Sequence, residues 1–420
     1  MAQSYYFGRQ HYVPRLLAKV NDALGIVVVI PAYNEPDLWQ SLQSLMDCQT
    51  TDCAVEVIVV VNYPEGSTDE VVANAEANIQ LVQRANDIKN SEYFRLYAID
   101  ASNLTKKHAG VGLARKIGMD EAAWRLFQSK SHLKVVACFD ADATCSDNYL
   151  AELEKLWSTS PETEACSIRY EHPMEGDEFD GKVYQGITQY ELHLRYYVQA
   201  CRYVGHPFSY HTVGSSMACS ATAYTRYGGM NRNKAGEDFY FLQKIIPHGR
   251  FKELNACCIF PSPRPSYRVP FGTGRAITSY ISNREDMYHT YSLDSWMPLK
   301  PFFENIHELH QADATKCQKI LSMQVPCLRE FLKSNRFEEN IAEINANTST
   351  PESFQKRFFL WFDAFLLLKY LNIAAEKCFP KVPVTAEAHR LANLLKISFQ
   401  PNPLSDKCLL QAYRRWEYCL

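Results

Sequence analysis

Val135-Val136-Ala137-Cys138-Phe139-Asp140-Ala141-Asp142-Ala143-Thr144 is an apolar run of strand length that stops at two aspartates one residue apart. In a strand, residues i and i+2 point to the same side, so both carboxylates are expected to face one space at the strand's C-terminal end. Open α/β sheets bind their ligands at that end. Two neighbouring carboxylates repel unless a cation or a proton lies between them. Oxygen-rich sites of this kind suit Mg2+ or Mn2+, which in turn hold phosphate oxygens. Capping of a following helix explains one aspartate but not two in phase.

Outward from this stretch, residues 26–220 alternate short β-rich runs with helical patterns, which predicts an α/β fold with a mostly parallel sheet and flanking helices. Ile26-Val27-Val28-Val29-Ile30 is apolar throughout, as a strand covered on both faces should be. A helix follows with Leu38, Leu42, Leu45 and Met46 on one face. Val55 to Asn62 and Arg95 to Asp100 read as the second and third strands, and Val135 to Phe139 as the fourth. Ala165 to Tyr170 reads as a fifth strand and Ser216 to Tyr224 as a further one. Gly181 to Val204 carries apolar residues at alternating spacings of four and three (Val183, Ile187, Tyr190, Leu194, Tyr197, Cys201, Val204) and is expected to be a long amphipathic helix. From about residue 300 the pattern is helical. The expected organisation is an N-terminal extension (1–24), an α/β domain (25–295) and a C-terminal helical region (296–420).

With 420 residues, 46% of them hydrophobic, the chain can bury one large core plus an appendage, or two domains. A net charge of −3 provides no basic field, which argues against nucleic acid as a partner. The fourteen cysteines are scattered inside apolar runs without CxxC pairs, a usage that fits a reducing cytoplasm and no zinc module. No charged n-region followed by an apolar h-region opens the chain, so no signal peptide is expected. Phe358 to Ala374 comes nearest to a membrane segment, but Asp363 and Lys369 interrupt it and it falls short of the ~20 residues a span needs. A buried helix is expected there, with an interfacial helix or a partner-docking face as the alternative, and the expected location is the cytoplasm, with a peripheral place at the inner face of the membrane left open.

Four further features fall in order around the aspartate pair. Pro31-Ala32-Tyr33-Asn34-Glu35 follows the first strand, where Tyr33 can stack on a nucleobase and Glu35 can accept from base or ribose. Asn62 ends the second strand and can read a base edge as donor and acceptor together. Gly110-Val111-Gly112 opens a helix whose N-terminal amides favour anions, and Arg115 can clamp a diphosphate or pair with Asp140. Gly236-Glu237-Asp238 sets two carboxylates at a helix start, where one of them, shielded from solvent, can act as a general base.

Together these residues resemble the family-2 glycosyltransferases of GT-A fold. Val28-Val29-Ile30-Pro31-Ala32-Tyr33-Asn34-Glu35 is similar to the family's opening signature, Asp140-Ala141-Asp142 to its DXD metal motif, and Glu237-Asp238 to its base motif. Ala109 to Gly118 resembles its Gly-x-Gly…Ala-Arg-Asn stretch, with Lys116 in place of the usual Asn. The resemblance covers about residues 25–280. It implies a GT-A, Rossmann-like domain that moves a sugar from a nucleotide-diphosphate sugar to an acceptor hydroxyl with inversion. Pro31, Ala32, Tyr33, Glu35 and Asn62 would line the nucleotide pocket. Asp140 and Asp142 would hold Mg2+ or Mn2+ on the donor diphosphate, and Asp238, beside Glu237, would deprotonate a carbohydrate, lipid-linked or small-molecule acceptor.

The chain also departs from the family. Asn62-Tyr63-Pro64-Glu65 stands where two aspartates usually follow strand two, and no Gln-x-x-Arg-Trp follows the base motif, which argues against a processive synthase. In that region Arg268 to Gly274 reads either as a loop that closes over the donor phosphates, with Arg268 or Arg275 as the cation, or as a structural Ω-loop. Arg169, Glu171, His172, His211 and Trp296 are candidate acceptor contacts, and His211 or His289 a candidate third metal ligand. Two alternatives stay open. Asp140-Ala141-Asp142-Ala143-Thr144 also matches the nucleophile motif of haloacid-dehalogenase-type phosphatases, and a non-catalytic nucleotide-sugar-binding protein could keep the same fold.

Overall fold

A computed structural model of the chain describes residues 2–106, 109–233, 236–266, 272–282, 287–398 and 405–418. In chain order its elements are α1 (Ala2–Arg9), β1 (Leu24–Ala32), α2 (Leu38–Met46), β2 (Ala54–Pro64), α3 (Asp69–Lys89), β3 (Phe94–Leu104), α4 (Val111–Gln128), β4 (Val135–Cys138), β5 (Thr144–Cys145), α5 (Tyr149–Thr159), β6 (Ala165–Tyr170), α6 (Gly181–Tyr203), β7 (Met217–Ser220), α7 (Ala221–Arg226), α8 (Glu237–Leu242), β8 (Phe251–Phe260) and α9 (Thr273–Ser282). Further short helices follow to Tyr418.

The eight strands form one sheet in the order β3-β2-β1-β4-β7-β6-β8-β5. β1 to β4 run parallel, as do β6 and β8, whereas β7 and β5 are antiparallel to their neighbours. The α/β class with a mostly parallel sheet is therefore observed. β1 is buried on both faces, which its unbroken apolar sequence requires. Ile26, Val28 and Ile30 share a core cluster with Leu42 and Leu45 of α2, Val82 of α3 and Leu153 of α5. Val29 faces the opposite side, where α4 packs. Each buried Val, Ile or Leu contributes about 1.5–3 kcal/mol relative to an exposed one, so the central strands anchor the site at their ends.

α4 is unusual in burying charge. Arg125 pairs with Glu56 of β2 at 2.6 Å, and Lys116 pairs with Asp120 at 2.9 Å. Tyr6 of α1 and Tyr224 of α7 both donate to Asp120 Oδ1, at 2.7 and 2.6 Å, and Lys116 Nζ donates to the Tyr6 hydroxyl at 2.9 Å. Lys116, the residue that departs from the family pattern, thus belongs to a network that ties the N-terminal helix to α4.

Two expectations are corrected. The run Ser216 to Tyr224 is strand only to Ser220, whose hydroxyl then accepts from Ala223 N and starts α7. Phe358 to Ala374 is not one helix. Helices Pro351–Trp361 and Ala364–Lys377 meet at a 56° bend, where Asp363 caps the second by accepting from Leu366 N at 2.9 Å. Phe358, Phe359, Phe362, Leu367, Tyr370 and Leu371 are buried, and no single helix among the described residues is long and apolar enough to cross a membrane.

The described residues group into two compact units, one running to Phe179 and resuming at Thr212–Thr278, the other comprising Asp180–His211 and Ser279–Leu420. α6 therefore groups with the C-terminal helices. The cause lies in side chains that an apolar stripe does not capture. Glu191 of α6 is fully buried between Arg195 (2.8 Å) and Arg414 (2.6 Å), and Arg195 also pairs with Glu417.

Gly118 sets how closely α4 approaches the sheet. A Cβ there would stand 2.4 Å from Val29 Cγ1 and 2.9 Å from Val60 Cγ2, both on stiff, buried strand residues. Gly118→Ala should therefore destabilise the protein by about 1–2 kcal/mol despite the ~1 kcal/mol gain in helix propensity, measured by chemical denaturation.

Candidate active site

β1 and β4 are parallel neighbours with Val29 opposite Cys138, so the chain leaves both strands at the same edge of the sheet. β4 ends at Cys138, and Asp140 to Asp142 lie in a turn closed by Ala143 N donating to Asp140 O at 3.1 Å. Ser41 of α2 anchors that turn by donating to Ala143 O at 2.6 Å. The two carboxylates are thus not placed by strand alternation. Each meets a different arginine.

Asp140 accepts from Arg115 Nη2 at 2.7 Å, and Arg115 also pairs with Glu237. Asp142 accepts from Arg264 Nη2 at 3.0 Å. Arg264 further donates to Glu35 (2.6 Å) and Asp37 (2.8 Å). Burial opposes the charge on Arg115, yet Glu237 and Asp140 hold its pKa above the ordinary value, so it stays charged. Arg264 is held charged in the same way by Glu35, Asp142 and Asp37.

Backbone geometry explains these meetings. The Pro31–Pro36 turn contains Asn34 at φ 47°, and Glu35 closes it by accepting from Asp37 N at 3.1 Å. Asn78 of α3 donates to Glu35 O at 3.0 Å. On the other side, β5 pairs with the end of β8, Thr144 opposite Phe260, which carries the chain after β8 back to the aspartate turn. Arg264 lies four residues beyond β8, between Pro263 and Pro265.

Glu237 and Asp238 open α8. Glu237 is buried on Arg115, whereas Asp238 is partly buried and accepts from Phe239 N at 2.7 Å. Desolvation and the neighbouring Glu237 push Asp238 up to about 6, with Arg115 pulling the other way. Gly214 makes room for this group. A Cβ there would stand 2.8 Å from Arg115 Nη1 and 3.0 Å from Asp238 Oδ2. Gly112 does the same for α4, since a Cβ would collide with the Asn233 carbonyl.

Among the residues singled out from sequence, Glu35, Asp140, Asp142, Glu237 and Arg115 are brought together by ion pairs, with Asp238 beside them. Pro31, Ala32 and Tyr33 leave β1 at the same edge, and Asn62 lies buried near the end of β2, one residue past the Ala32–Val61 pair. Gly110 precedes the first turn of α4. Arg268 lies outside the described residues. His211 stands 3.5 Å from Glu417, and Trp296 is fully buried edge-on to Tyr197, so both have packing partners of their own. Arg264, Asp37 and Gly214 escaped the sequence reading. Only the proline pair around Arg264 hinted that its position was constrained.

Asp140 and Asp142 are the carboxylates nearest to a divalent-ion site. Asp140 and Asp142 are partly exposed carboxylates, but no group of three or more His, Cys, Asp or Glu among the described residues is arranged to hold an ion. Mg2+ and Mn2+ accept one or two carboxylates and complete their shell with phosphate oxygens and water. Two carboxylates match the number such an ion takes from protein in that case.

Residues 27–212 match the family profile described as Glycosyl transferase family 2. That stretch, a little under half of the chain, is similar to the family-2 glycosyltransferases. No curated protein sequence matches it. Among solved structures, S. aureus TarS 1-349 in complex with UDP-GlcNAc is similar at 13% identity and TM-score 0.42, over 80% of this chain and 91% of that one. TarS 1-349 with UDP gives 13% and 0.38 over the same shares, and the longer TarS 13% and 0.39 over 76% and 55%. The glycosyltransferase match spans β1 to α6 and includes the aspartate turn; Glu237 and Asp238 lie beyond it. The match favours the glycosyltransferase reading over the phosphatase alternative, and Asp140, held by Arg115, is not the open nucleophile such an enzyme needs.

Removing Arg115 would strand Glu237 as a buried, uncompensated carboxylate. Arg115→Met should cost about 3 kcal/mol or more at neutral pH, read from the denaturant midpoint.

Proposed function

We propose that this protein transfers a sugar from a nucleoside-diphosphate sugar to an acceptor hydroxyl, with inversion and without processive elongation. One observation carries this reading. At the C-terminal edge of the parallel strands, the aspartate turn and the Glu237-Asp238 pair are joined through a single guanidinium, Arg115. A donor-diphosphate locus and a base are thereby held on one rigid support.

In this mechanism Pro31, Ala32, Tyr33, Glu35 and Asn62 bind the nucleoside, and the α4 N-terminus at Gly110 favours the diphosphate. Asp140 and Asp142 would hold Mg2+ or Mn2+, which when bound neutralises charge on the leaving diphosphate. Arg115 is too deeply buried to grip phosphate; it fixes the positions of Asp140 and Glu237. Asp238 takes the proton of the attacking hydroxyl. Its raised pKa matches that task, because a carboxylate near 6 accepts a proton more readily than one near 4 while remaining ionised at neutral pH. The acceptor is a carbohydrate, lipid-linked or small molecule. The described cysteines are free thiols, which supports a reducing, cytoplasmic setting.

A thermal-shift screen of UDP-, GDP-, CMP- and dTDP-sugars, with and without Mn2+, tests the reading directly. Binding raises the midpoint by linkage, and absence of any shift with every donor would sink it. Donor binding without hydrolysis or transfer would favour the non-catalytic alternative.

Asp238→Asn should lower transfer by about 10²–10⁴-fold with donor affinity unchanged. The wild-type rate should be full well above pH 6 and fall as pH drops through about 6, because the base is then protonated. A pH profile of single-turnover transfer checks this, and a flat profile from pH 5 to about 8 would remove Asp238 from the role.

A further inference from the structure

Three carboxylates converge on the guanidinium of Arg264: Glu35 at 2.6 Å, Asp37 at 2.8 Å and Asp142 at 3.0 Å. They come from two separate segments, the turn after β1 and the turn after β4, and their mutual repulsion demands a cation. Arg264 supplies it from a third segment, delivered by the β5–β8 pairing and fixed between two prolines.

Asp142 is also one of the two carboxylates available to a divalent ion. A bound Mg2+ or Mn2+ would approach its oxygens to roughly 2.0–2.2 Å, while Arg264 Nη2 already stands 3.0 Å from one of them. Two cations competing for one carboxylate repel each other. A diphosphate relieves the conflict, since its oxygens give a displaced guanidinium new charge-assisted hydrogen bonds.

We propose that Arg264 is an internal counter-cation that competes with the divalent metal for Asp142, so that metal binds tightly only together with a nucleoside diphosphate. This rests on the glycosyltransferase reading and names how its metal site is regulated. Arg264 is a positioning residue on this account, acting through Asp142.

The test is Mn2+ binding to the full chain, followed by the EPR signal of the free ion, first with the metal alone. Arg264→Gln should bind Mn2+ about tenfold more tightly than wild type or better, the scale on which one adjacent opposite charge alters a carboxylate's affinity for a cation. Arg264→Lys, which keeps the charge and loses the fork, should fall between them. Adding Asp142→Asn to Arg264→Gln should abolish the gain, and adding UDP should narrow the gap between Arg264→Gln and wild type. A merely structural arginine would weaken metal binding when removed. Unchanged or weaker Mn2+ binding in Arg264→Gln, or a gain that survives Asp142→Asn, overturns the proposal. Circular dichroism verifies folding of each variant, and Arg264→Lys carries the comparison should the glutamine variant not fold. The donor screen reads nucleotide binding rather than free metal, so a failure here leaves the glycosyltransferase reading standing, and a failed screen sinks that reading whatever Mn2+ does.

Discussion

Arg115 is a cation buried at the C-terminal edge of the sheet, and its charge is tolerated only because Asp140 and Glu237 flank it. Those two partners come from segments almost a hundred residues apart in sequence. The arginine therefore does more than neutralise them; it welds the aspartate turn to the start of α8 and sets where Asp238 stands. Everything that lets Arg115 reach this position becomes part of the site. Gly118 lets α4 lie close to β1 and β2, and Gly214 leaves the space that Arg115 and Asp238 share.

A second cation repeats the arrangement on the other side of the turn. With Arg264 on Asp142 and Arg115 on Asp140, the aspartates are neutralised separately rather than through one shared ion. The acidic edge is thus stable before any ligand arrives, which a cluster of five carboxylates without counter-charge would not be. The two arginines differ in kind. Arg115 is enclosed, whereas Arg264 retains some exposure and holds partners that reach solvent. The first suits permanent architecture and the second suits exchange with a ligand.

Much of this could be read in the sequence where one residue type answers one physical demand. Ile26 to Ile30 could only be a strand buried on both faces, and the order of the turn after β1, the aspartate pair and Glu237-Asp238 carried the resemblance to family-2 glycosyltransferases. Other features resisted for identifiable reasons. β8 has Lys252, Glu253, Asn255 and Ala256 among its apolar residues, so its period was diluted. β7 hands over to α7 within Ser220-Ala221, where β-branched and aromatic residues continue and only a capping hydroxyl marks the change. The partition of α6 depends on Glu191, Arg195 and Arg414, charged residues that composition assigns to the surface but pairing allows inside. Arg264 carried no motif at all. Its role arises from the β5–β8 pairing, which no local pattern announces.

A crystal structure of the protein with a nucleoside-diphosphate sugar and Mn2+ tests the central claim most directly, namely that the edge built on Arg115 is the donor site. The account predicts an anomalous Mn2+ peak between the diphosphate and the Asp140–Asp142 turn, the nucleoside against Tyr33, Glu35 and Asn62, and the Asp238 carboxylate open towards the sugar. A nucleotide bound away from that edge, with Arg115 and Asp238 remote from it, would contradict the account.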